Sequence, residues 1–233
     1  MKDIIPCFSV SAPTIRKDLT ILEEAGMIIR THGEVHMASH TSPITPYEAR
    51  SCLHPEAKAA IARRAMAEIE EGDSIILDSG TTTIEIAKLL VDRTDLTVIT
   101  NSLPIATIFS NSPVTVNVIG GLFLGRNLST MGPDAEEFLR RIKVDKGFIS
   151  SPGIRADYGL VTSHPLEASI KKSMICSSRV IYAVLDSSKL FTTSIYPFAE
   201  FSDLDYLITE RPIEDPDARN TFLRANVSII SAE

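Results

Sequence analysis

From residue 56 onward, short continuous apolar runs alternate with longer stretches whose apolar residues recur every three or four positions. The first pattern belongs to strands covered on both faces, the second to amphipathic helices. Residues 56–71 read as a long helix stopped at Gly72. A strand in SIILD, a helix in TTIEIAKLLV, a strand in LTVIT and a helix in SLPIATIFS follow. Then VTVNVIGG is a strand, PDAEEFLRRI a helix, KGFIS a strand and residues 165–177 a helix, with RVIYAVLD, DYLIT and VSII as strands around a final helix. Strands alternating with helices build βαβ units, so the predicted fold is α/β: a mostly parallel sheet with helices on both faces.

The first forty residues follow another pattern. Ser11 is placed to cap a helix, Pro13 sits in its first turn, and Ile15, Leu19 and Leu22 form one apolar stripe. Gly26 ends the helix, and MIIRTHGEVHM reads as two short strands around a turn at residues 31–33. A helix followed at once by such a wing is how a winged helix-turn-helix meets DNA, with the start of the helix at base edges and the wing at the backbone. The candidate DNA contacts are Thr14, Arg16, Lys17 and Thr20, which fall off the stripe, with Arg30 and His32 in the wing. An ordinary amphipathic helix and hairpin would satisfy the same pattern. His32, His36 and His40 recur four apart, but Gly33 and the hairpin pattern take them off a helix, so no metal site is assigned. Residues 38–55 carry prolines and serines without a sustained period and read as a linker, giving domains 1–37, 38–55 (linker) and 56–233.

In open parallel sheets, ligands bind beyond the carboxyl ends of the strands. The end of SIILD leads through Asp78, Ser79, Gly80, Thr81 and Thr82 into a helix, an arrangement of hydroxyls and backbone N–H groups that suits phosphate. LTVIT ends in Asn101, VNVI in Gly120 and Gly121, and VIYAVL in Asp186 followed by Lys189. A glycine–threonine turn alone is more often a plain helix cap. Four polar strand ends on one rim point to a small, phosphorylated, polyhydroxylated ligand.

Charge and composition narrow the picture. A formal net charge of −7 argues against a chain that coats nucleic acid, while leaving room for a small DNA-reading face. No apolar run approaches the roughly 20 residues of a membrane span, and no secretory leader is visible, so a cytoplasmic protein without membrane partners is expected. Cys7, Cys52 and Cys176 are widely spaced and odd in number, which disfavours disulfides and structural zinc. No cofactor motif is present.

The run SAPTIRKDLTILEEAGMIIRTHGEVH resembles the N-terminal signature of the DeoR family of bacterial sugar-metabolism repressors. DSGTTT, VITNSLP, VIGG, VDKGFISSPGI, GLVTSHPLEASIKKSMI and LDSSK resemble the family's C-terminal sensor domain, in the family's order over nearly the whole chain. The resemblance implies a sensor fold like ribose-5-phosphate isomerase and the CoA transferases, operator DNA and a sugar-phosphate or related effector as partners, and repression by a homo-oligomer. It also implies that Ser79, Gly80, Thr81 and Thr82 hold phosphate, that Asn101, Gly120, Gly121 and Lys189 line the pocket, and that Lys171 or Lys172 lies on the helix behind it.

The chain departs from the pattern at Glu34, where the family has a second wing glycine, at Ser150 and Arg155, where many members have glycine and aspartate, and in the few residues before Ser11. The short start makes a partial winged helix-turn-helix the expectation, and a sensor that no longer reads DNA the alternative. A sugar-phosphate isomerase is the third reading. The isomerases carry a cluster of acids where this chain has ISSPGIRAD, leaving Asp157, Asp78, Asp186 and Glu167 as isolated carboxylates, so no catalytic residue is assigned.

Overall fold

A computed structural model describes residues 11–24, 28–31, 34–37, 47–190, 192 and 194–232. The chain divides into two compact units, residues 1–53 and 54–233. In the smaller unit, α1 (Ala12–Glu24) starts where the Ser11 hydroxyl accepts the Thr14 N–H, at 3.4 Å. Ile15 and Leu19 are buried against Ile28, with Leu22 packed on them, as the stripe requires. β1 (Ile28–Thr31) and β2 (Glu34–Met37) pair antiparallel with Thr31 opposite Glu34, the expected hairpin. Within the stretch expected to be linker, the structure adds a single helical turn, α2 (Tyr47–Ser51).

The larger unit opens with α3 (Pro55–Met66), five residues shorter at its end than the periodicity predicts. β3 (Ser74–Leu77), α4 (Thr81–Leu89), β4 (Thr97–Thr100), α5 (Leu103–Ile108) and β5 (Thr115–Val118) follow. Then come two unpredicted strands, β6 (Leu122–Leu124) and β7 (Ser129–Met131), which pair as an antiparallel hairpin. After α6 (Pro133–Arg140) and β8 (Val144–Ile149), β9 (Gly153–Arg155) and β10 (Gly159–Thr162) form a second unpredicted hairpin. α7 (Pro165–Ser177) and β11 (Ser178–Val184) precede β12 (Tyr196–Ala199), which pairs antiparallel with β10. β13 (Tyr206–Thr209), α8 (Pro216–Arg224) and β14 (Ser228–Ser231) complete the unit.

The main sheet has seven strands in the order β14-β13-β11-β8-β3-β4-β5, and every pairing in it is parallel. Alternation along the strands sends side chains to opposite faces. Ile76, Ile99, Ile181, Ala183 and Leu207 join one core with Met174 and Ile170 of α7 and Leu139 of α6. On the opposite face Phe148, Tyr182 and Tyr206 stack in a row at 5.0 and 4.8 Å between centroids, worth about 0.5–1.5 kcal/mol per pair beyond burial. There the Tyr182 hydroxyl meets Glu68, just beyond α3, and burial pushes its pKa well above the usual phenol value. Helices therefore cover both faces, as the alternating pattern predicts. At the amino end of the strands Asp145 accepts the Ser74 N–H at 3.0 Å and its hydroxyl at 2.6 Å, tying β8 to β3.

Candidate functional site

Two places gather the residues singled out from the sequence. On α1, Thr14, Arg16 and Lys17 are exposed, opposite the buried Ile15 and Leu19, and the partly exposed Thr20 hydroxyl is turned back to the Arg16 carbonyl at 2.9 Å. That leaves two cations and Thr14 on the open face of a helix that is joined to a two-stranded hairpin. Arg30 lies in β1, and His32 lies outside the described residues.

The second place is the carboxyl edge of the main sheet. Leu77 pairs with Thr100 and with Phe148, Thr100 with Val118, and Ile149 with Ala183, so the residues that follow come off neighbouring strands in one row. Asp78–Thr82, Asn101, Gly120, Gly121, Asp186 and Lys189 thus share one rim. From β11 to β5 this rim crosses four interstrand intervals, about 19 Å, with β3 at its centre.

At that centre the structure reveals a knot of contacts that sequence spacing could not disclose. The carboxylate of Asp78, 1% exposed, accepts the Gly80 N–H at 3.0 Å and the Ser150 N–H at 2.9 Å. The Ser150 hydroxyl lies 3.0 Å from each of its oxygens. The ammonium of Lys171, 2% exposed, closes an ion pair with the same carboxylate and also donates to the Ser150 carbonyl at 2.9 Å. Lys171 therefore reaches the rim from α7, but its charge is already matched by Asp78. Gly80 likewise differs from the expected role: its N–H is held inside the turn by Asp78 and by the Thr83 hydroxyl at 3.1 Å. Its missing side chain makes room for protein, since a Cβ there would sit 2.0 Å from the Ser150 hydroxyl oxygen. The donors left for an anion are those of the first turn of α4, at Thr81 and Thr82, which have no intrahelical acceptor.

Elsewhere on the rim, Asn101 is buried and its amide donates to the Thr130 carbonyl at 2.8 Å. Gly120 is exposed, with open space where a side chain would be. Gly121 has φ +123 and a Cβ would lie 2.7 Å from the Met131 carbonyl, so this position needs glycine for the turn into β6. Asp186 is buried and accepts the Ser188 N–H at 3.1 Å, capping the short turn that carries half-buried Lys189. Three features were not foreseen as site residues: Ser150, and the buried Ser129 hydroxyl and His164 Nδ1, which have no hydrogen-bond partner. Their pairing and burial are set by contacts distant in sequence, so only Ser150, as a departure from a pattern, carried any signal.

The isolated carboxylates have structural occupations. Arg155 and Asp157 form an exposed ion pair at 2.6 Å in the β9–β10 turn, and the arginine's hydrogen bond holds the Asp157 carboxyl below the usual carboxylate range. Buried Glu167 accepts the Thr162 hydroxyl at 2.6 Å. Among the described residues, no group of three or more His, Cys, Asp or Glu is arranged to hold a metal ion, and no helix is long and apolar enough to cross a membrane.

Comparison with known proteins gives a consistent assignment. Residues 1–41 match the DeoR-like helix-turn-helix domain and residues 53–211 the DeoR C terminal sensor domain. The chain is 39% identical to the transcriptional repressor AccR of Agrobacterium fabrum, over 87% of this chain and 80% of that protein. It is 30% identical to the glycerol-3-phosphate regulon repressor of Escherichia coli, over 91% and 84%. Among solved structures, eIF2B delta from Chaetomium thermophilum superposes with a TM-score of 0.50 at 14% identity, over 69% of this chain and 59% of its own, which places the α/β unit in that fold. Ribose 5-phosphate isomerase A from Methanocaldococcus jannaschii superposes with a TM-score of 0.44 at 15% identity, over 58% and 54%. The chain spans less than two thirds of either solved chain. With both of its domains matched in order along the sequence, this chain belongs to the DeoR family of transcriptional regulators.

Proposed function

We propose that the protein is a cytoplasmic repressor of a carbohydrate-utilisation operon. It binds operator DNA through Thr14, Arg16, Lys17, Thr20, Arg30 and His32 and is released or modulated by a phosphorylated sugar or sugar alcohol. It works as a homo-oligomer, which sets recognition helices over repeated half-sites. The observation that carries the effector half of this reading is the convergence of five parallel strand ends on one rim, with the free donors of the α4 amino terminus at its centre. Ser79, Thr81 and Thr82 supply the anion cradle, while Asn101, Gly120, Gly121, Asp186 and Lys189 supply the walls. Asp78 and Lys171 act beneath it, holding Ser150, α7 and the β3 turn in register. The name of the glycerol-3-phosphate regulon repressor supports a phosphorylated polyol as the ligand class. Carboxylates committed to capping, pairing and hydroxyl contacts support sensing over catalysis, and the protein is read as having no enzymatic activity and no cofactor.

An effector moves DNA affinity only as far as its affinities for the free and operator-bound forms differ, and about 1–3 kcal/mol of coupling is typical. The test is operator release measured by fluorescence anisotropy against a panel of phosphorylated sugars and polyols. Thr81→Val should retain operator affinity and lose most of the response to the releasing compound. An unchanged response removes Thr81 from the pocket.

A further inference from the structure

Buried polar atoms in folded proteins are almost always hydrogen-bonded, so those that are not call for a partner. Within the described residues of the α/β unit, three buried side-chain atoms have none: Asn101 Oδ1, Ser129 Oγ and His164 Nδ1. They lie far apart in sequence but on elements that touch. Ser129 begins β7, forms a backbone bridge to Ser102 beside Asn101, and its neighbour Thr130 accepts the Asn101 amide. Alternation puts Ser129 on the same face of the hairpin as Met131, and Met131 packs in the core with Ile170 and Met174 of α7. His164 stands at the start of that same helix. Asn101 and Ser129 are therefore neighbours at the β4 tip and the β6–β7 hairpin, and His164 stands at the start of the helix that touches β7.

We infer that Ser129 and His164, together with Asn101, read the hydroxyls of the effector and so set which carbohydrate is recognised. This assignment rests on the strand-tip rim being the effector pocket, and it adds two residues and a chemical requirement to that pocket. The requirement comes from Asn101. Its Nδ2 faces the Thr130 carbonyl, an acceptor, so Oδ1 is fixed as an acceptor too and calls for a donor. A deprotonated phosphate oxygen cannot satisfy it, whereas a sugar hydroxyl can. Ser129 both donates and accepts, and His164 Nδ1 takes either role according to tautomer. His164 lies seven residues before Lys171 on the inward side of α7, about 10 Å along the helix axis. His164 thus stands away from the charged centre of the rim, while Asn101 lies on the strand beside it, so the three residues span a length of carbon chain leading from a phosphate.

The experiment is calorimetric titration of the full chain with triose, pentose and hexose phosphates and their polyols, with inorganic phosphate as the reference. Wild type is compared with Ser129→Ala, His164→Ala and Thr81→Val. Neither new substitution removes a structural contact of the side-chain atom in question, because the Ser129 hydroxyl is unpartnered and His164 makes no helix-capping hydrogen bond. Each should weaken the best phosphorylated sugar by about fivefold or more while leaving inorganic phosphate within about twofold. Ser129→Ala should also leave the ligand-free melting temperature unchanged or raised, which a hydroxyl with a structural role would not allow. A sugar phosphate whose binding depends on Thr81 but is indifferent to Ser129→Ala and His164→Ala overturns this assignment alone, leaving the three atoms to solvent. If no phosphorylated sugar binds, or binding ignores Thr81→Val, the pocket reading fails and this assignment with it.

Discussion

The ion pair between Asp78 and Lys171 links two residues 93 positions apart and holds α7 against the centre of the rim, so its removal has a calculable consequence. Breaking a buried pair from one side costs about 3–5 kcal/mol, because the remaining charge stays in the interior. The two sides are unequal here. In Lys171→Met, the Asp78 carboxylate keeps the Gly80 N–H, the Ser150 N–H and the Ser150 hydroxyl, so the loss should fall near 3 kcal/mol. In Asp78→Asn, the ammonium keeps one carbonyl, that of Ser150, and the face of Phe198 at 5.6 Å, so the loss should approach 5 kcal/mol. The double variant carries no buried charge and should recover to within about 1–2 kcal/mol of wild type, because neutral replacement of a buried pair is often close to neutral in effect. Urea unfolding followed by tyrosine fluorescence reports chiefly on this unit, since the chain has no tryptophan and four of its five tyrosines, Tyr158, Tyr182, Tyr196 and Tyr206, lie in it. Single variants that each lose less than about 1 kcal/mol, or a double variant as unstable as their sum, would refute the assignment of this pair as the element that fixes the rim.

Gly80→Ala should destabilise by about 1–3 kcal/mol through its clash with Ser150, and Ser150→Gly in the same chain should restore most of that loss; thermal melts of both variants check it. Arg16→Ala should weaken operator binding by about 1–3 kcal/mol if the guanidinium meets a base edge, measured by anisotropy at fixed salt, while the melting of the larger unit stays at the wild-type value. Acid sensitivity has a defined sign at Asp145, whose carboxyl is held below the usual carboxylate range chiefly by the Ser74 hydroxyl. A lowered folded-state pKa contributes stability above the unfolded value near about 3.9 and loses it as the pH falls further. Wild type should therefore exceed Asp145→Asn in urea midpoint near neutral pH, with the difference shrinking through the acid range.

The alternation of strands and helices was legible because the inner strands of the main sheet are buried on both faces and the helices on one, and burial on that scale leaves a periodic trace. The β6–β7 and β9–β10 hairpins left none. Their strands have three or four residues and depend on tertiary partners, such as the Thr130 hydroxyl on the Asn101 carbonyl at 3.3 Å and the Ser151 hydroxyl on the Val161 carbonyl at 2.7 Å. The rim itself was legible, since polar residues after apolar strands mark carboxyl ends. Its internal wiring was not. Gly80 was expected in a phosphate cradle, and its missing side chain makes room for Ser150; Lys171 or Lys172 was expected behind the pocket, and Lys171 is there, with its charge matched by Asp78. Such pairings join distant positions, and a single sequence records the residue types without their partners.

The central claim is that the tips of the parallel strands form one pocket for a phosphorylated carbohydrate. Amide hydrogen exchange of the full chain, with and without the sugar phosphate that releases operator, tests it directly. Added protection should concentrate at residues 79–83, 101–102, 120–121 and 187–189, which sit together only in this fold. Protection confined to the opposite, amino-terminal edge of the sheet, around Asp73 and Asp145, would contradict it.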